Sequence, residues 1–196
     1  MNKTIIFGIL FLLVIIYGCT SLIDASFKKG VKRINEIDDK FDTNMKSIPG
    51  SEEQIDELLV QLVGFGVANE DTTKALEYLL DFRIKSLEAE KLHIEGWQWG
   101  RGSTTDWGFG CRKGSARILN SSKIRNSSAY KGYESLEALQ LLVDEFPNEA
   151  KSVNLTQIDV IFLNAAYQQV EDKAVRDSKI IRGFCKEQIK ELNITI

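Results

Sequence analysis

The sequence is poor in the residues that build metal centres and nucleophilic active sites. It contains a single histidine, His93, and three cysteines, none of which belongs to a C-x-x-C pair. Zinc is usually bound by cysteines and histidines clustered at short spacings, so no metal site is expected. A nucleophilic cysteine needs a basic partner, and none is recognisable from the sequence. We therefore expect no metal and no cofactor, and we do not expect an enzyme.

Strand patterns are also nearly absent. Outside residues 96–125 no run alternates apolar and polar residues for long, whereas helical spacings recur along the chain. The net charge is only −3 and there is no nucleic-acid-binding motif, so nucleic acid is not an expected partner. The length of the chain after residues 1–23 suits a single hydrophobic core. We predict an all-α fold, a bundle of five or six helices with a Gly/Trp-rich irregular loop, residues 96–125, in its middle.

Residues 1–23 have the character of a lipoprotein-type signal or membrane anchor. Lys3 precedes an almost wholly apolar stretch, residues 5–17, as in an export signal. Residues 16–19, I-Y-G-C, resemble the lipobox of prokaryotic lipoproteins, although Tyr17 stands where a small residue is usual. The resemblance implies cleavage before Cys19 and a lipid on its sulfur. The domain would then be anchored to the cell membrane on its extracytoplasmic side.

An uncleaved transmembrane anchor is the alternative. Residues 4–23 carry no charge, and about 20 apolar residues span a bilayer core of about 30 Å. The basic residues that follow, Lys28, Lys29, Lys32 and Arg33, favour a cytoplasmic domain by the positive-inside rule. A basic segment beside a lipid anchor can equally rest on anionic headgroups. Both orientations stay open, and export is the preferred interpretation.

The cysteine count agrees with export. Once Cys19 is assigned to the lipid, Cys111 and Cys185 remain, and an even number of cysteines in an oxidising compartment fits a disulfide. Such a bond would tie the Trp-rich segment to the last helix. Two buried free thiols are the alternative.

The helical spacings divide the chain into segments. Residues 24–50 form a helical stalk or a first bundle helix, and residues 51–196 form an α-helical domain. Within that domain the first two helices form an antiparallel hairpin, the first ending at the Gly64 and Gly66 pair and the second at Gly96. The segment after Asn154 is apolar on two sides, which predicts a helix central to the bundle.

Residues 96–111, G-W-Q-W-G-R-G-S-T-T-D-W-G-F-G-C, hold all three tryptophans. Glycine allows a chain to fold tightly over a core, so the segment can bury its indoles as a plug. It can also present them as an exposed platform for a sugar ring or a partner protein. The platform would consist of Trp97, Trp99, Arg101, Asp106, Trp107 and Phe109.

A basic strip without acidic residues follows the Trp-rich segment. It comprises Arg112, Lys113, Arg117, Lys123 and Arg125. These cations can hold an anionic polymer or lipid, or simply face the acidic helices.

The function predicted from these features is a binding or scaffolding module, anchored to the membrane, that contacts a protein or glycan through the Trp/Gly loop. A carbohydrate-binding surface protein is the alternative. An enzyme acting on surface glycans, with Glu95 and Asp106 as a carboxylate pair, is less favoured. The sequence does not define the oligomeric state.

The mass of the protein extracted from its own host's membranes tests the leader and the cysteines together. We expect a chain that starts at Cys19 and carries lipid, with Cys111 and Cys185 alkylated only after reduction. An intact chain from Met1 with all three thiols alkylated without reduction would establish the transmembrane alternative.

Overall fold

The structure is a computed structural model that describes residues 23–40, 52–68, 72–101 and 111–186. Within those ranges the chain forms six helices and no strand, which confirms the predicted all-α bundle. The helices are α1 (Ala25–Lys40), α2 (Glu52–Ala68), α3 (Lys74–Arg101), α4 (Cys111–Glu145), α5 (Pro147–Ser152) and α6 (Gln157–Phe184).

Three long helices, α3, α4 and α6, alternate in direction, so that α4 runs antiparallel to both α3 and α6. Ser121 and Ser128 of α4 meet Gly96 and Ala89 of α3 in reverse order along the two chains. Along α6 the partners of α4 descend in the same way, since Arg125 pairs with Asp177 and Tyr133 with Glu171. The helix α4 therefore lies between α3 and α6, and the carboxyl ends of those two helices share one end of the bundle.

The main core is built from α1, α2 and α3 together with the carboxyl-terminal part of α4 and the start of α6. Phe27, Ile34, Leu58 and Leu76 are fully buried in it. Gly30 of α1 lies so close to Leu76 that a Cβ at position 30 would collide with the leucine side chain. The segment that was predicted as a stalk or a first bundle helix is thus packed on its own domain over the described part, residues 25–40. The rest of that segment, residues 41–50, lies outside the described residues.

Asp38 is a charged residue on the buried side of α1, and its burial is explained by a partner in α3. Arg83 Nη2 donates to Asp38 Oδ1 at 3.2 Å, and both side chains are almost completely buried. The pairing joins residues 45 positions apart in the chain, so the spacing of apolar residues could not reveal it. It fixes the position of α1 along α3.

Glycines predicted as helix ends lie inside helices. The helix α2 continues through Gly64 and Gly66 to Ala68, and α3 continues through Gly96 to Arg101. Glycine costs only about 1 kcal/mol relative to alanine in a helix, so packing and neighbouring residues decide whether the helix stops. The irregular segment predicted for residues 96–125 is also too long. The helix α3 extends to Arg101, and α4 is already helical from Cys111.

The helix α6 is not central among the described helices. Val160 is buried and Leu163 and Tyr167 are half-buried against α4, whereas Ile158 and Phe162 are 62% and 71% exposed. Tyr133 of α4 donates to Glu171 Oε2 of α6 at 2.8 Å, and burial, reinforced by that carboxylate, raises the pKa of Tyr133 to about 12. Its phenol therefore stays protonated at all ordinary pH values. One apolar side of α6 packs against α4, and the other is exposed on the described part of the chain.

Replacing Arg83 with methionine is expected to lower the free energy of unfolding by about 3 to 5 kcal/mol, because it leaves the Asp38 carboxylate buried without its guanidinium. The matched change, Arg33→Met, removes the exposed Arg33–Glu36 pair and should cost at most about 1 kcal/mol. Chemical denaturation followed by circular dichroism measures both. Equal losses in the two variants would contradict a structural role for the buried pair.

Candidate functional site

A disulfide closes one end of the bundle. Cys111, the first residue of α4, is bonded to Cys185, which directly follows α6, across 74 positions of sequence. The predicted pairing is therefore confirmed. Leu119 and Ile181 pack around Cys185 in a small core separate from the main one. In the chain-entropy model a loop of this length contributes roughly 4 to 5 kcal/mol of stability, so the bond holds the ends of α4 and α6 together.

A cleft of about 370 Å³ opens beside the disulfide, and we call it the Trp97 cleft. Three helices supply its walls. It is lined by Trp97, Gly100 and Arg101 of α3, by Ile118, Ser121 and Arg125 of α4, and by Lys173, Asp177, Ile180 and Ile181 of α6. Its volume falls at the lower end of the range for small-molecule sites, and its mixture of apolar walls with a few polar groups is also typical of them.

The α3 wall stands close to α4 because only small groups separate the two helices. A Cβ on Gly96 would approach Arg125 Cγ to 2.9 Å and the backbone of α4 to 3.3 Å. Ser121 Oγ donates to the Gly96 carbonyl oxygen at 2.6 Å, and Ser128 Oγ donates to that of Ala89 at 2.7 Å. These hydroxyl groups replace apolar side chains between the helices. The close approach brings Trp97 and Arg101 of α3 to the same cleft as Arg125.

Arg125 is the most deeply buried charge in the cleft, with 11% of its side chain exposed. Its Nη1 lies 3.4 Å from Asp177 Oδ2, longer than the 2.7–2.9 Å typical of charge-assisted hydrogen bonds. Its Nε is buried and has no hydrogen-bond partner in the described part of the chain. Arg101 and Lys173 add two further positive charges to the lining, and among its described residues Asp177 is the single carboxylate. The described lining therefore carries a positive charge in a protein whose net charge is −3.

Two predicted platform tryptophans lie at the end of α3 and are half exposed, with 47% of Trp97 and 43% of Trp99 accessible. The Arg101 guanidinium stacks on the Trp97 ring, 4.3 Å from its centroid, one helical turn further along α3. Trp97 lines the cleft, whereas Trp99 is not part of its lining. Within the described part of the chain, neither indole is buried as the plug interpretation would require.

The other predicted site residues are distributed as follows. Asp106, Trp107, Phe109 and Cys19 lie outside the described residues. Of the basic strip, Arg125 lies in the Trp97 cleft, Arg117 is exposed, and Lys123 lines a different groove between α4 and α6. Arg112 and Lys113 belong to the first turn of α4. The strip is helical, so its described members point to different sides of α4.

Lys173 and Asp177 could not be recognised from the sequence, because they lie 48 and 52 positions from Arg125 and no local pattern links them to it. Three buried serines of α4 were not recognised either. Ser121, Ser128 and Ser135 are all buried and are spaced by seven residues, which is two helical turns. That spacing was a readable signal for one helix face.

Of the two carboxylates in the enzyme hypothesis, only Glu95 lies within the described residues. The described residues hold no group of three or more histidine, cysteine, aspartate or glutamate residues that could bind a metal ion. Glu95 is half-buried on α3, and its proposed partner Asp106 is outside the described ranges. On the same helix, burial raises the pKa of Glu90, and the nearby His93 opposes that effect. Glu90 does not line the Trp97 cleft.

Comparison of the chain with protein-family models, curated proteins and solved structures gave no match. None of the helices in the described ranges has both the length and the apolar character needed to cross a bilayer.

Replacing Gly96 with alanine is expected to lower the free energy of unfolding by about 1 to 3 kcal/mol, because the added methyl group forces α3 and α4 apart. Gly64 of α2 is the matched control, since a Cβ there would meet nothing within 4 Å. Gly64→Ala should be neutral or should stabilise by up to about 1 kcal/mol. Thermal and chemical denaturation compare the two. Stabilisation by Gly96→Ala would show that the helices do not approach closely at this point.

Proposed function

We propose that this protein is a binding module, anchored to the membrane through its amino-terminal segment and facing the extracytoplasmic side, and that it contacts its partner through the Trp97 end of the helical bundle. The observation that carries the proposal is the exposure of Trp97 beside a positively charged cleft. Half-exposed tryptophans supply large contact areas and are enriched at the energetic centres of interfaces.

The helical construction of this end supports the same proposal. The walls come from three helices, two of which the Cys111–Cys185 disulfide joins beside the cleft. Sites carried by rigid helices hold their side chains in place before the partner arrives, so less conformational entropy is lost on binding. A disulfide here also agrees with an oxidising compartment.

The lipobox-like residues 16–19 and the even number of remaining cysteines support the extracytoplasmic location. The same location suits a module that meets partners or polymers of the cell surface. Protease added to intact cells tests it directly, because an extracytoplasmic domain is cut under conditions that spare a cytoplasmic control protein.

The double change Trp97→Ala with Trp99→Ala is expected to lower the retention of the full-length protein on envelope fragments of its own host about tenfold or more. Each truncated aromatic contact at an interface centre costs about 1 to 2 kcal/mol. The melting temperature should change little, because both indoles are half exposed.

Tyr130→Ala is the matched control, since Tyr130 is an exposed aromatic residue on α4 that does not line the Trp97 cleft. Its retention should equal that of the unmodified protein. Unchanged retention of the double tryptophan variant would contradict the proposed contact surface. A collapse of its melting temperature would instead assign the indoles to the core.

A further inference from the structure

We infer that the Trp97 cleft binds a sugar unit that carries a carboxylate group, an inference that rests on the proposed function and names its ligand class. The cleft brings together two features that such a ligand needs. One is a positive charge within reach of a bound anion, and the other is an apolar wall against which a ring can lie.

Two cations line the cleft where a ligand would sit. Arg125 of α4 and Lys173 of α6 both belong to its lining, and among the described lining residues Asp177 is the only carboxylate. The Arg125–Asp177 contact is long at 3.4 Å, and Nε of Arg125 lacks a partner in the described ranges. A largely buried guanidinium whose one ion pair is long gains free energy from an added carboxylate, which accepts charge-assisted hydrogen bonds from its accessible N–H groups.

The remaining lining suits a ring with hydroxyl groups. Trp97 contributes an indole that is half exposed, and Ile118, Ile180 and Ile181 extend the apolar wall. Asp177 accepts hydrogen bonds from hydroxyl groups, and Lys173 donates to hydroxyl oxygens as well as to a carboxylate. The cleft, about 370 Å³, is large enough for one sugar unit and small for an extended polymer.

Two other cations near the cleft lie at helix ends. The carboxyl ends of α3 and α6 carry partial negative charge, and Arg101 and Arg182 lie in the last turns of these helices. Arg101 is therefore partly engaged by its own helix end and by the Trp97 ring. Arg125 and Lys173 lie well inside their helices, so their charges are left for a ligand and for Asp177.

The test is calorimetric titration of the full-length protein, in a non-ionic detergent, with trigalacturonic acid and with the neutral galactose trisaccharide. We expect the acidic trisaccharide to bind at least about tenfold more tightly, with an affinity that falls as salt is added. Lys173→Gln should weaken its binding about fivefold, the effect of losing one partly exposed charge contact of about 1 kcal/mol.

Two further variants separate a built site from general attraction by positive charge. Asp177→Asn retains an amide oxygen as acceptor but removes the competing negative charge, so it should tighten binding of the acidic trisaccharide. Lys179→Gln is the matched control for Lys173→Gln. Lys179 is also an exposed lysine of α6, but it lines the groove on the other side of the α4–α6 contact, so its removal should leave the affinity unchanged.

Several outcomes would overturn the inference. These are equal affinity for the acidic and neutral trisaccharides, no binding of either, equal weakening by Lys173→Gln and Lys179→Gln, or weakening by Asp177→Asn in a variant that remains folded. In each case, loss of envelope retention in the double tryptophan variant would still support the proposed function. Retention that does not depend on Trp97 and Trp99 would remove the proposed function instead.

Discussion

The close approach of α3 and α4 is the constraint on which the rest of the structure depends. Gly96 leaves room for the α4 backbone, and the hydroxyl groups of Ser121 and Ser128 bond directly to carbonyl oxygens of α3. Buried hydroxyl groups must be hydrogen-bonded, so these serines define one relative position of the two helices. That position places Trp97 beside Arg125 and, through α4, beside the residues of α6.

The two ends of the bundle are stabilised differently. At one end α1 and α2 cover α3 with large aliphatic and aromatic side chains, and the buried Asp38–Arg83 pair sets the position of α1. At the other end the core is small, and a disulfide joins α4 to α6. A covalent link compensates for limited apolar burial because it restricts the unfolded chain. The end with less core is thereby free to present polar and aromatic groups at a cleft.

The electrostatics of the cleft follow from this arrangement. Arg125 comes from a segment rich in basic residues, but its neighbours in sequence, such as Lys123, point to other sides of α4. Its actual neighbours are Asp177 and Lys173, which the antiparallel pairing of α4 and α6 brings to it. The charge of the cleft is therefore set by three helices together, and no single stretch of sequence displays it.

The sequence by itself indicated the all-α class, a bundle of five or six helices and the pairing of Cys111 with Cys185. These properties depend on local periodicity and on residue counts, which can be read along one chain. Only the tertiary structure decided that Gly96 is a packing contact instead of a helix end, that Asp38 has Arg83 as its partner, and that one apolar side of α6 faces outwards. The physical reason is that each of these depends on which atoms another helix places nearby, and helical spacing describes only the helix that carries it.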